Sequence, residues 1–216
     1  MPLHLLHVDA HCVVADKPAG LLAVPGRGEH LQDCLSARVQ ALHADALVVH
    51  RLDMATSGLM LFARGADAQR TLSAAFAQRE VHKRYVAVVH GHIDLAPGEV
   101  REIDLPLGPD WPNRPRQQVD RVHGKASLTR LRVLAFDAGS GTTRVALEPV
   151  TGRAHQLRVH LRAIGHPIVG DALYAPPNPA ADALAAPRRM LLHATRLVFP
   201  HPVTGTLTEV TSTPPF

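Results

Sequence analysis

Short apolar segments separated by turn residues run along the whole chain, and only a few stretches repeat at helical spacing. The clearest pair flanks Gly139-Ser140-Gly141, a sequence typical of a β-hairpin. Because the strands do not alternate regularly with helices, the pattern predicts an α+β fold with a mixed, mostly antiparallel sheet and flanking helices. The predicted strands are 4–8, 12–16, 47–49, 59–63, 84–90, 127–136, 142–147, 191–199 and 206–211.

Three segments have the spacing of amphipathic helices. Leu31, Leu35, Val39 and Leu42 predict a helix over 31–43, and similar patterns predict helices over 66–79 and 154–164. The Pro/Ala-rich stretch 176–187 predicts a surface loop with one helical turn. No Ser/Gly-rich linker or internal repeat interrupts the 216 residues, so we expect a single domain, 1–216.

Charge and composition narrow the class of partner. A formal net charge of +4 and a pI near 9.6 are compatible with a polyanion but do not by themselves indicate one. Aromatic residues are only 4%, too few for a base-stacking platform, so an RNA partner would be recognised by shape and charge. Cys12 and Cys34 form no disulfide framework, and the first residues lack a targeting pattern, so we expect a cytoplasmic protein without membrane contact.

A polar loop over 50–58 lies between two predicted buried strands, and Asp53 is its only carboxylate. A carboxylate in a loop that emerges from a core is suited to chemistry that needs a fixed, partly desolvated anion. The alternative is that its side chain caps a turn. The loop therefore makes Asp53 a candidate catalytic residue without deciding between these roles.

A second polar segment, 151–162, places Arg158 and Arg162 four residues apart on one helical face, with His155 three residues before Arg158. This face is either a phosphate-binding surface or the solvated side of a helix. Both alternatives are compatible with the spacing.

Fifteen histidines suggest a metal-dependent hydrolase, but their spacing argues against it. There is no HExxH, and His155 and His160 are five positions apart, about 140° around a helix. A G-x-S-x-G elbow, a P-loop and a G-x-G-x-x-G motif are also absent. We therefore expect no metal and no nucleotide cofactor.

Six motifs in a fixed order resemble the RluA family of pseudouridine synthases and span nearly the whole chain. They are KPAGL (17–21), HRLD followed by TSG (50–58), KRYVA (83–87), TGR followed by HQLRVH (151–160), GHPIVGD with Tyr174 (165–174), and LLHA (191–194). MATSG (54–58) and DWPNRP (110–115) are similar to the family member that modifies both 23S ribosomal RNA and tRNA. The resemblance implies the pseudouridine synthase catalytic fold, without an N-terminal S4-like domain.

The resemblance also implies a reaction and its residues. The family isomerises uridine in RNA to pseudouridine without cofactor or metal. Asp53 corresponds to its catalytic aspartate, which either attacks the sugar C1′ or removes a sugar proton to give a glycal. Arg158 is implied as the partner of this carboxylate, and Tyr85 packs on the uracil. Leu192 contributes to the apolar wall beneath the base.

The target uridine must be flipped out of the RNA, which costs a few kcal/mol of stacking. Arg51 is the candidate for filling the vacated space, while Arg153, His155 and Arg114 are candidates for binding the rest of the RNA. We expect a monomer acting on 23S rRNA and/or an anticodon-type stem-loop of tRNA. The alternative is an RNA-binding or RNA-folding protein with little or no catalysis.

Overall fold

Strands outnumber helices in the computed structural model, which describes residues 3–175 and 189–216. The predicted loop 176–187 lies outside the described residues. The strands are β1 (His4–Val8), β2 (Cys12–Lys17), β3 (Ala46–Val48), β4 (Ser57–Arg64), β5 (His82–His90), β6 (Arg101–Asp104), β7 (Leu107–Pro109), β8 (Gln117–Val119), β9 (Leu128–Asp137), β10 (Thr142–Pro149), β11 (Leu192–Pro200) and β12 (Leu207–Thr211). The α-helices are α1 (Leu35–Gln40), α2 (Ala66–Gln78) and α3 (Gln156–Ala163).

The chain forms two compact units. The first contains Met1–Lys83 and His193–Pro215, and the second contains Arg84–Leu192 with Phe216. Both boundaries fall inside strands, at the start of β5 and of β11, and not in loops. Because linkers are recognised by their loop-like composition, the sequence contains no signal of this division.

The sheet of the first unit is built around β4, whose residues from Ser57 to Ala63 are all buried. β2 pairs antiparallel with both β1 and β4, β3 pairs antiparallel with β4, and β12 pairs antiparallel with β11. β11 pairs with β4 in parallel, with Ala194 opposite Gly58. Gly58 has φ +107°, and a Cβ there would lie 2.3 Å from the carbonyl oxygen of Ala194, so this close approach requires glycine.

In the second unit β10 pairs antiparallel with β5 and β9, β6 pairs with β9, and β7 pairs with β8. Helix α3 is fixed to β9 by Gln156, whose Nε2 donates to the carbonyl of Leu128 and to Oγ1 of Thr129, both at 3.0 Å. His160 is fully buried, and its Nε2 lies 3.0 Å from the carbonyl oxygen of Leu105. Burial lowers the pKa of His160, so this histidine is a neutral anchor of the helix.

The prediction of a helix over 31–43 is wrong at both ends. Residues Glu29–Leu31 form a 3₁₀ turn, and α1 begins only at Leu35. The physical reason is that Cys34 forms a parallel bridge with Leu22, and the main-chain N–H of Leu35 donates to the carbonyl of Leu22 at 2.8 Å. Of the four residues with helical spacing, Leu35 and Val39 are buried, while Leu31 and Leu42 are exposed.

The predicted α+β class with a mostly antiparallel sheet is confirmed, since among the pairings described above that of β4 with β11 alone is parallel. The nine predicted strands are all present, with ends within two residues. Three short strands, β6, β7 and β8, were not predicted. Their three or four residues, which include Asp104, Pro109 and Gln117, are too few and too polar for an alternating pattern.

Candidate active site

The loop over residues 49–56 connects β3 to β4 in the first unit, and we name it the Asp53 loop. Leu52 is buried, with 7% of its surface exposed, and it holds the loop against the core. Asp53 is half-buried, and its main-chain carbonyl accepts a hydrogen bond from the N–H of Thr56 at 3.1 Å. The loop thus presents its one carboxylate from a turn that both a buried side chain and the backbone hold in place.

Lys17, at the end of β2, is completely buried. Its ammonium donates to three main-chain carbonyls, those of Pro18 at 2.9 Å, Leu21 at 2.7 Å and Met54 at 3.0 Å. A buried cation with three acceptors is much more stable than one left unsatisfied. Lys17 therefore connects the turn after β2 to the Asp53 loop.

The carbonyl of Met54 is held by a second donor, the main-chain N–H of Gly20, at 2.8 Å. Lys17 and Gly20 together fix the peptide that directly follows Asp53. Lys17 and Gly20 both belong to the KPAGL motif (17–21). Because a lysine is rarely fully buried, the sequence predicted no structural role for Lys17.

We expect Lys17→Met to lower both stability and turnover, because the variant leaves three main-chain carbonyls without their charged donor. The expected loss in the free energy of unfolding is about 3 kcal/mol, measured by urea denaturation. Lys125→Met, at an exposed lysine, is the control for stability and should be close to wild type. An unchanged unfolding midpoint for Lys17→Met would contradict the anchoring role.

His50 fixes the start of the Asp53 loop. Its Nε2 accepts a hydrogen bond from the main-chain N–H of Leu61 at 2.9 Å, and its ring stacks on Phe76 with centroids 4.6 Å apart. Desolvation, followed by the nearby charge of Lys83, lowers the pKa of His50 to about 3. The imidazole is therefore neutral at pH 7 and carries its proton on Nδ1.

We expect His50 to make the protein sensitive to acid. Its folded pKa lies below the unfolded value of 6.5, so the unfolded state binds the extra proton as the pH falls from 6.5 towards 3. The contribution of neutral His50 to the free energy of unfolding is fully present above pH 6.5. Between pH 7 and pH 5 wild type should lose about 2 kcal/mol more stability than His50→Gln, measured by urea unfolding at both values. His30→Gln, at an exposed histidine, should follow wild type, and parallel pH curves for wild type and His50→Gln would contradict this assignment.

A partly buried chain of hydrogen bonds begins at Ser57, the residue directly after the Asp53 loop. Ser212 Oγ donates to Asp16 Oδ2 at 2.7 Å, and Ser212 Oγ lies 2.9 Å from His193 Nε2. His193 Nδ1 lies 2.8 Å from Ser57 Oγ. Since Ser212 gives its hydrogen to Asp16, its oxygen accepts the Nε2–H of His193. The chain ties the first residue of β4 to β11, β12 and β2.

In the second unit, Arg158 of α3 forms a bidentate ion pair with Asp171, with Nε to Oδ2 and Nη2 to Oδ1 both at 2.7 Å. The two side chains are 5% and 0% exposed, so the predicted alternative of a solvated helix face is wrong for Arg158. Asp171 Oδ1 also accepts the main-chain N–H groups of Leu173 at 2.9 Å and Tyr174 at 3.2 Å. Asp171 is thus held by the turn that it helps to close, and it fixes Arg158 in one orientation.

Tyr174 contacts all three basic residues of the polar face that the sequence predicts for α3. The guanidinium carbons of Arg158 and Arg162 lie 4.9 and 5.9 Å from its ring centroid. Its hydroxyl oxygen accepts the N–H of Gln117 at 2.7 Å, and it also forms a hydrogen bond with Nδ1 of His155 at 2.7 Å. The structure therefore brings together the three basic residues predicted for this face, through a tyrosine to which the sequence pattern assigned no role.

The predicted apolar residues are both buried in the second unit. Tyr85 lies on β5, opposite Leu147 of β10, with 9% of its surface exposed. Leu192 is the first residue of β11 and is 3% exposed. Burial suits both residues for an apolar wall, and their roles toward a base stay predictions.

The predicted RNA-contacting cations are exposed. Arg51 has no ion pair or hydrogen bond in the described part of the chain, and Arg153 donates from Nε to the carbonyl of Ala126 at 3.3 Å. The guanidinium carbon of Arg114 lies 3.6 Å from the ring centroid of Trp111, which is 64% exposed. Trp111 therefore does not pin its loop to the core, and it offers a flat surface to solvent.

In the described ranges, metal-ligating side chains are grouped at one place, which consists of His7, Asp9 and Cys12. None of the helices in this part of the chain has the length and apolar character needed to cross a membrane.

Exposed cations suit a polyanionic partner such as RNA, and a carboxylate held in a loop suits acid–base or nucleophilic chemistry. A family model described as RNA pseudouridylate synthase matches residues 11–163. The chain therefore belongs to the RNA pseudouridylate synthase family, and it is an isomerase that acts on RNA. The predicted resemblance is confirmed, and the isomerase is favoured over the alternative of a binding protein without catalysis.

Two curated relatives are named dual-specificity RNA pseudouridine synthase RluA. The relative from Pasteurella multocida is 47% identical over 214 residues, covering 99% of this chain and 94% of the relative. The relative from Escherichia coli K12 is 49% identical over 203 residues, covering 94% and 89%.

Solved structures show the same fold. Human RNA pseudouridylate synthase domain containing 1 has a TM-score of 0.80 and 30% identity, covering 100% of this chain and 84% of the other. Human RNA pseudouridylate synthase domain containing 4 has a TM-score of 0.74 and 25% identity, covering 98% and 88%. These likenesses confirm the predicted pseudouridine synthase fold.

Proposed function

We propose that this isomerase converts uridine to pseudouridine in a stem-loop of 23S rRNA and/or tRNA. The observation that carries the proposal is the identity of 47–49% to relatives named as dual-specificity enzymes, over nearly the whole chain. The anticodon-type stem-loop suggested by the sequence is the tRNA substrate to test first.

We propose that Asp53 is the catalytic carboxylate and that Arg158 and Tyr85 complete the catalytic set. Asp53 lies in a turn that Lys17 fixes. This supports its catalytic role, because a reacting group must be held in one place. The bidentate pairing of Arg158 with Asp171 supports a fixed guanidinium that can stabilise an anion. Tyr85 and Leu192 supply apolar surface for the uracil, and the chemistry needs no cofactor or metal.

Arg51 is proposed to fill the space left by the flipped uridine. Its exposure, and the lack of a hydrogen bond or ion pair in the described residues, leave its guanidinium available for RNA. It lies two residues before Asp53, on the same loop. An arginine here would replace stacking that the RNA loses when the base leaves the helix.

We expect Arg51→Ala to reduce single-turnover rates about 100-fold, while the Kd for RNA rises by less than about threefold, since a few kcal/mol of flipping cost would no longer be offset. Rapid-quench kinetics and filter binding measure the two quantities. Arg27→Ala, another exposed arginine of the first unit, is the control. Equal losses in rate and affinity would indicate an ordinary phosphate contact.

The stacked pair of Trp111 and Arg114 is proposed as an RNA-contacting surface, together with Arg153 and His155. A planar cation on an exposed aromatic ring can stack on an unpaired base and also attract phosphate. The loop that carries the pair is closed by a main-chain hydrogen bond from the N–H of Asp110 to the carbonyl of Arg116, at 3.0 Å. The surface is therefore held by the backbone before RNA arrives.

We also propose, as the sequence predicts, that residues 1–216 act as one catalytic domain, as a monomer, and in the cytoplasm where rRNA and tRNA are found. Light scattering of the protein during turnover would test the oligomeric state, with a dimer as the contradicting result.

The target is tested by incubating the protein with unmodified 23S rRNA and with unmodified tRNA transcripts, followed by pseudouridine mapping. We expect one uridine in a stem-loop of at least one of these RNAs to be converted stoichiometrically. Asp53→Asn protein is the control for contaminating activity. Conversion of other RNAs, with neither of these modified, would overturn the proposed target without affecting the family assignment.

A further inference from the structure

The turn between β1 and β2 holds a cluster of side chains that the isomerase chemistry does not use. Asp9 Oδ1 accepts the main-chain N–H groups of His11 at 2.7 Å and Cys12 at 2.8 Å, which fixes the carboxylate in the turn. The other oxygen, Oδ2, is left to side chains. It lies 2.8 Å from His7 Nε2 and 3.5 Å from Cys12 Sγ.

A fourth side chain reaches the same oxygen from a distant part of the chain. His201, directly after β11, places its Nε2 3.3 Å from Asp9 Oδ2, and its side chain is 14% exposed. Its ring also packs edge-on against His11, with centroids 5.7 Å apart. The first and last hairpins of the first unit thus meet at one carboxylate.

Three of these donors, those of His7, Asp9 and Cys12, lie close enough together for one zinc ion, and His201 approaches the same carboxylate as a fourth donor. The ligand atoms of His7, Asp9 and Cys12 all lie within 4.8 Å of one another. Ligands at about 2.0–2.3 Å from a tetrahedral zinc are about 3.3–3.7 Å apart. The separations of Asp9 Oδ2 from Cys12 Sγ and from His201 Nε2, 3.5 and 3.3 Å, already match, and His7 needs to move by about 0.5 Å.

We propose that His7, Asp9, Cys12 and His201 bind one Zn²⁺, in a structural site that joins the β1–β2 turn to the end of β11. Nitrogen, thiolate and carboxylate ligands together favour zinc over the hard cations magnesium and calcium. No residue proposed for catalysis is a ligand, so the ion contributes to stability and not to the reaction.

Solvent reaches the cluster, and zinc would have to displace the proton of the Cys12 thiol. The His7 and Asp9 side chains are 29% and 30% exposed, which opens the cluster to solvent, while Cys12 is fully buried. Burial, and then the charge of Asp9, raises the pKa of the Cys12 thiol to about 12. Zinc binding would deprotonate the thiol and release a proton, so affinity should increase with pH.

Spacing alone did not suggest this site. His7 and Cys12 are on opposite sides of a turn, and His201 is far away in sequence, so no helical or CxxC spacing connects them. The sequence-based expectation of no metal considered such local patterns. The cluster exists because β-sheet pairing brings the two chain ends of the first unit together.

The test uses the untagged full-length protein, stripped with EDTA and then titrated with Zn²⁺ by calorimetry and with Co²⁺ by absorption. We expect one ion per chain, a thiolate-to-cobalt charge-transfer band and a Tm that rises with zinc. Cys12→Ser should lose the band and bind zinc at least about tenfold more weakly. Cys34→Ser, at the other buried cysteine, should keep both properties.

His7→Ala, at a partly exposed position, is the second ligand variant and covers the case in which Cys12→Ser does not fold; it too should bind at least about tenfold more weakly. Absence of stoichiometric binding by the folded wild type, or binding without the thiolate band, would overturn the proposal. The cluster would then be a hydrogen-bonded turn around Asp9. Equal affinity of His7→Ala and wild type would also overturn it.

Discussion

Asp53→Asn is expected to abolish pseudouridine formation while leaving the fold and RNA binding intact. The amide has nearly the shape of the carboxylate, but it can neither attack the sugar nor remove a proton from it. We expect turnover to fall at least about 10³-fold, measured as tritium release from RNA labelled with [5-³H]uridine. Asp67→Asn, at an exposed aspartate of the same unit, is the matched control and should keep wild-type activity.

The fold and the binding of Asp53→Asn need to be measured with its activity. The free energy of unfolding should change by less than about 1 kcal/mol, because the turn is held by main-chain contacts and by Lys17. RNA affinity should be equal or slightly higher, since the variant removes a negative charge near phosphates. Turnover within tenfold of wild type would remove Asp53 from the proposed catalytic set.

The two routes open to Asp53 differ in one bond. Attack on C1′ leaves the sugar C–H bonds intact, while the glycal route breaks a C–H bond at the neighbouring sugar carbon and later restores it. Deuterium at that carbon would therefore slow the glycal route by a primary isotope effect. The same substrate in the Asp53→Asn control establishes the background rate.

The sequence predicted the strands well because a strand pattern repeats every two residues and is visible in five or six positions. The sequence-based prediction was wrong where a local helical pattern competes with a backbone contact to a residue outside the segment. Leu31 and Leu42 have helical spacing with Leu35, yet the pairing of Cys34 with Leu22 stops the helix before it includes Leu31. Nothing within 31–43 encodes that pairing.

In the candidate site, too, residues in recognisable local patterns were predicted, while residues that act through distant partners were not. Asp53 and Arg158 were predicted because each lies in a dense polar segment that resembles a known family. Their supports, Lys17 and Asp171, were within recognised motifs but received no role, because their function depends on burial and on partners elsewhere in the chain. A buried lysine and a fully buried aspartate are visible only in three dimensions.

Asp171→Asn is expected to be strongly destabilising, because it removes the carboxylate that pairs with the buried guanidinium of Arg158. Breaking such a buried pair costs about 3–5 kcal/mol, and turnover should fall with it. Urea unfolding and tritium release measure the two effects. Glu209→Gln, which breaks the exposed pair with Arg196, is the control and should cost about 0.5 kcal/mol.

A double variant separates the structural role of the pair from catalysis. Arg158→Met with Asp171→Asn removes both buried charges, so that no uncompensated charge is left in the core, and it keeps a side-chain oxygen that accepts the N–H groups of Leu173 and Tyr174. We expect the double variant to recover to within about 1 kcal/mol of wild type while turnover stays at least about 100-fold reduced. If stability and activity recovered together, the pair would serve the fold alone. A stable but inactive double variant would instead mean that the arginine, fixed by Asp171, is required in the reaction itself.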